Sequence, residues 1–158
     1  MAKNNSVRRK PLTNLDKKNV ATVLGYAGLI PFITASAVLF TDNPGLTGPA
    51  LYSLTVYAAV ILAFMGAVHW GVAMQSNASS SNLQLVFSVV PALIAWLSLS
   101  LQTPRNSLLT LAVSFVAMLV ADIYAGSKFF VPSWYRGLRI PLSLAVVLCL
   151  LVSAWRVG

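Results

Sequence analysis

Residues 49–74 read PALYSLTVYAAVILAFMGAVHWGVAM. Read as a helix rising 1.5 Å per residue, this run exceeds the roughly 30 Å hydrocarbon core of a bilayer. His69 is the chain's only histidine, and the other titratable side chains in the run are Tyr52 and Tyr57. A titratable ring inside a membrane-length segment is costly unless something pairs with it, and marks a site by default.

Composition agrees with a membrane setting. Of 158 residues, 58% are hydrophobic and 9% are charged, whereas a soluble domain carries roughly 25% charged residues. Four further apolar runs flank the central one, at about 20–40, 83–101, 107–126 and 138–156. Turn-forming residues separate them: Thr41 to Gly45, Ser76 to Asn82, and Gln102 to Asn106. The chain therefore reads as an all-α membrane protein, a bundle of five transmembrane helices at residues 20–158, preceded by a basic cytosolic arm at 1–19. No cleavable signal is legible in that arm, because no short apolar core with a small-residue cleavage site is present.

Lysine and arginine set the expected orientation. With the N-terminus in the cytosol, the inner segments hold nine of the 11 basic residues, and the outer ones hold Arg105 and Arg156. Such a bias places the N-terminus in and the C-terminus out. The net charge of +8 is then a topology signal, and no nucleic-acid partner is called for.

The central run also sorts by side-chain size. Ala59, Ala63, Ala67 and Gly71 are spaced four apart, a small-residue stripe that lets another helix approach closely. The expectation is that this stripe, with Trp70 beside it, faces protein, while Tyr57, Ile61, Phe64, Met65 and Val68 face lipid. Pro31 and Pro91 fall inside runs, where each kinks a helix and frees a backbone carbonyl.

Depth supplies partners for His69. It stands about 7 Å from the end of its run, and Asp122 stands about 6 Å from the corresponding end of the fourth run. The two meet in the same leaflet if both helices run outside to inside. A buried carboxylate needs a partner, and the choices are His69 or one of Arg136 and Arg139. Tyr26 is expected at the same level. The candidate ligand-binding set is thus His69, Trp70, Asp122, Tyr26, Arg136 and Arg139. One histidine and one distant cysteine do not make a zinc site, and no paired carboxylates, phosphate loop or nucleophile elbow occur. No cofactor, metal or enzymatic activity is expected.

Four stretches carry a resemblance: LGYAGLIPF at 24–32, FMGAVHWG at 64–71, SVVPALIAW at 88–96 and PSWYRGLR at 132–139. In this order they resemble domain-of-unknown-function family thirty-four twenty-nine, the transmembrane protein sixty-nine-like proteins. The resemblance spans about residues 20–145 and implies a five-helix inner-membrane protein, bacterial by the absence of a presequence, with the mitochondrial inner membrane as the alternative. It implies no activity. Two functions are left open. One is the binding or movement of a small hydrophobic ligand at an inner-leaflet site between helices. The other is an accessory or assembly role beside a respiratory membrane complex, with lipid bilayer and a membrane protein as partners and the polar cluster purely structural.

Overall fold

A computed structural model describes residues 14–41, 43–75, 81–101, 103–128 and 133–158. Most of the arm and the centres of the Ser76–Asn82 and Ser127–Arg139 segments lie outside the described residues.

Six α-helices and no strand occur among the described residues: α1 (Asn14–Ala27), α2 (Ile30–Val38), α3 (Pro44–Gln75), α4 (Ser81–Leu99), α5 (Pro104–Lys128) and α6 (Ser133–Arg156). Helices α1 and α2 are one interrupted span, so the architecture is a bundle of five rods. Four of them are long and apolar enough to cross a membrane. The remaining rod, α4, has a shorter apolar part, Gln84–Leu99.

Each departure from the expected boundaries has a local cause. The first run breaks at Gly28 and Leu29, before Pro31, whose ring removes a helical donor. The break is bridged from α3, where the Tyr57 hydroxyl donates to the Gly28 carbonyl at 3.1 Å. Helix α1 already includes Asn14, the first described residue, inside the stretch assigned to the arm. Helix α3 begins at Pro44 rather than near residue 50. Asn43 accepts a hydrogen bond from the Gly45 amide at 3.1 Å, and Pro44 follows as the first helical residue. This is an N-terminal cap with proline where its missing N–H costs nothing. The resulting 32-residue helix is longer than a hydrocarbon core requires, so it tilts or projects beyond it.

The core lies between α2, α3, α5 and α6. Phe32 is its hub, with ring centroids 5.1 Å from Tyr57 and 6.2 Å from Phe115, both edge-on. Leu54, Ala58, Leu62, Leu108, Leu111 and Leu150 are fully or nearly fully buried around it. Near the other end of α6, Ser153 donates to Ser36 Oγ at 3.1 Å. Outward positions on all rods are large and apolar, among them Val23, Phe64, Leu93, Val113 and Leu148, as a lipid-facing surface requires.

The small-residue stripe does not form the inner face of α3. Ala59 is buried and Ala63 half-buried, but Ala67 and Gly71 are exposed, and a Cβ on Gly71 would meet nothing within 4 Å. Tyr57, Ile61, Met65 and Val68, expected toward lipid, are half-buried. The inward row is Leu54, Ala58, Leu62, Gly66 and Ala73. Size misleads here because lipid tails are as apolar as leucine, so a bulky residue gains nothing by facing lipid. The close approach is made by Gly66 alone, where a Cβ would stand 2.3 Å from the Ser88 carbonyl oxygen and 3.4 Å from the Pro91 ring on α4.

Candidate functional site

Gly66 also positions the histidine. Leu62, Gly66, His69 and Ala73 follow one another at steps of four, three and four, and so share one face of α3. Gly66 seats that face against α4, and His69, one turn further on, points toward α5. Its Nε2 lies 2.7 Å from Oδ1 of Asp122. Asp122 Oδ2 accepts a hydrogen bond from Arg139 Nε on α6. One carboxylate thus joins three helices, with a different partner on each oxygen.

Asp122 is 5% exposed and Arg139 is 6% exposed. Removing such charges from water is expensive, and the arrangement is tolerable because both are paired and hydrogen-bonded. Sequence reasoning offered histidine or arginine as the partner of Asp122; the structure uses both. It also decides between the arginines. Arg139 turns inward, whereas Arg136, one turn earlier, is exposed. Arg136, expected in the loop before the last run, is helical as well, because α6 includes Ser133 onward.

The six candidate residues therefore divide in two. His69, Asp122 and Arg139 come together. Trp70 is 45% exposed, and its indole N–H meets Met74 Sδ at 3.0 Å. Tyr26 and Arg136 also point to the outer surface.

A cavity lies on each side of the cluster. The first, about 400 Å³, lies between the α1–α2 span, α3, α5 and α6. Its lining is largely apolar, with Trp134, Tyr135, Arg139 and Ser143 as its residues carrying polar groups. The second, about 350 Å³, lies between α3, α4 and α5, with His69 and Gln84 among its lining residues. Arg139 borders only the first and His69 only the second, so Asp122 ties together residues that face opposite cavities.

Two buried side-chain polar atoms lack a hydrogen-bond partner among the described residues, Ser143 Oγ and Gln84 Oε1. One belongs to each cavity's lining. Buried polar groups without partners are rare, and each calls for an unseen molecule or a function. Sequence reasoning missed both residues. A serine in a membrane helix usually bonds to a carbonyl of the preceding turn, as Ser114 does to Thr110 at 2.7 Å, so its presence carries no signal. Gln84, in the first turn of its run, reads as an ordinary polar residue at the end of a membrane helix.

Known proteins place the chain in a family. The model described as "Protein of unknown function (DUF3429)" matches residues 17–155. The chain belongs to the DUF3429 family. The match includes His69, Asp122 and Arg139 as well as both cavity-lining residues, Gln84 and Ser143. A curated relative in the family, "Transmembrane protein 69" of Xenopus tropicalis, is 34% identical over 143 residues, covering 87% of this chain and 54% of its own length. The chain thus spans about half of that relative. No solved structure matches this DUF3429 protein.

Proposed function

We propose that this membrane protein binds a small hydrophobic ligand in the cavity between the α1–α2 span, α3, α5 and α6, with the ligand's polar head at Arg139, Tyr135 and Ser143. The observation that carries this reading is the Ser143 hydroxyl, 2% exposed and unpartnered among the described residues, in the wall of a largely apolar cavity. A volume of about 400 Å³ falls in the range of small-molecule sites. All three polar groups can donate hydrogen bonds. Arg139 retains N–H groups beyond the one given to Asp122, and serine and tyrosine each carry an O–H. The head they suit is an acceptor such as a carbonyl oxygen.

The role proposed is binding rather than catalysis. The charge bias of the sequence supports a cytosolic N-terminus and, with it, an ionic cluster in the inner leaflet. A photoreactive long-chain methyl ketone, added to the full chain in detergent, tests the reading. Attachment is expected at Leu24, Leu138 or Leu142, reduced severalfold by Ser143→Ala and abolished by Ala21→Trp, which fills the cavity. Attachment unaffected by either substitution, or none at these residues, overturns the reading and favours the accessory role beside a membrane-protein partner.

A further inference from the structure

We infer that the cavity between α3, α4 and α5 is a second ligand site, independent of the first, and that it takes a lipid-soluble molecule with an uncharged hydroxyl head, an alcohol or a phenol. Its polar lining residues are Gln84, His69 and Ser114, and the Ser114 hydroxyl already donates to the Thr110 carbonyl. Gln84 Oε1 is a buried acceptor with no donor among the described residues. His69 directs Nε2 at Asp122, and an ionised carboxylate can only accept, so the ring proton sits on Nε2. In the neutral ring the other nitrogen, Nδ1, is then an acceptor as well. Two acceptors select a ligand that donates.

Charge narrows the class further. An ammonium head would need a spare anion, and the one carboxylate nearby is already matched by Arg139. A carboxylate or phosphate head would bring a second negative charge beside Asp122, with no lysine or arginine among the lining residues to balance it. It would also leave the Gln84 oxygen without a donor. A hydroxyl supplies the proton without the charge. The remaining wall is apolar, with Phe87, Pro91, Ile94 and Val113 along the body of the cavity, and about 350 Å³ suits a small head with part of its hydrocarbon body. An ordinary acyl tail would fill the same space but leave the Gln84 oxygen unsatisfied, which is costly in a dry interior.

The test uses the full chain in detergent with a photoreactive long-chain alcohol and, separately, its methyl ether, which has the same body but no donor. The alcohol is expected to attach at Phe87, Ile94 or Val113, and the ether at least tenfold less. Gln84→Leu should lower attachment of the alcohol about tenfold. Val113→Trp, at a position 69% exposed and so harmless to folding, should abolish it by filling the cavity. Attachment at Leu24 or Leu138 reports the other cavity, so the two readings fail separately. Equal attachment of alcohol and ether would mean filling by hydrocarbon alone. That result, an unchanged Gln84→Leu protein, or no attachment at the three residues overturns the inference.

Discussion

His69 Nε2 and Asp122 Oδ1 lie 2.7 Å apart across 53 positions of sequence, and the second oxygen of the same carboxylate is held by Arg139. The cluster is asymmetric in consequence. Arg139 depends on Asp122 for its counter-charge, whereas a neutral imidazole asks of Asp122 only a hydrogen bond.

We predict that Asp122→Asn lowers stability in detergent by about 3–5 kcal/mol, because a buried guanidinium loses its partner. His69→Gln should cost no more than about 1.5 kcal/mol, one hydrogen bond, since Asp122 keeps Arg139. The double variant Asp122→Leu/Arg139→Met should be more stable than Asp122→Asn, because neither charge remains. Thermal unfolding of the three proteins checks the order, and equal losses for Asn and Gln would contradict the asymmetry.

Gly66→Ala is expected to destabilise by about 1–3 kcal/mol, the usual cost of overpacking, because the new methyl collides with backbone on α4. Gly71→Ala, which meets open space, should be neutral or slightly stabilising, as alanine is the better helix former. Comparable losses at both positions would mean that α3 is rotated from the orientation described.

Tyr57→Phe removes only the hydroxyl that binds the Gly28 carbonyl and keeps the ring contact with Phe32. A stability loss of about 1 kcal/mol is predicted, together with faster amide hydrogen exchange at the α1–α2 junction. Unchanged exchange at Gly28 and Leu29 would show that the bridge does not hold the break.

The orientation proposed from the basic residues makes a separate prediction. A reporter fused after Gly158 should be active only on the outer side of the membrane. Cytosolic activity would reverse the placement of the ionic cluster.

The matched depth of His69 and Asp122 was legible because helical rise converts sequence position into depth, and charges inside apolar runs are few. Whether the two pair was left open, since depth does not fix which way a side chain turns. Arg139 was one of two choices because Arg136 and Arg139 stand three residues apart around the start of the last run, and a sequence position does not say which of them turns inward. The inner face of α3 was not legible. In water, burial sorts large apolar residues from polar ones, but inside a bilayer both faces are apolar and only local fit decides. Gln84 and Ser143 were invisible for a related reason: a neutral polar residue announces itself only when its partner is missing, and partners are a property of the fold.

The break at Gly28 and Leu29 divides the first span into parts with unequal holds on the molecule. Beyond it, Phe32, Ser36 and Leu39 are buried. Before it, Val20, Val23, Leu24 and Tyr26 all stand open, and α1 supplies no residue to the buried core, which begins at Leu29. Among the described residues, swinging α1 aside would therefore unpack none of that core, and would open the wall that Ala21, Leu24 and Gly25 give the larger cavity.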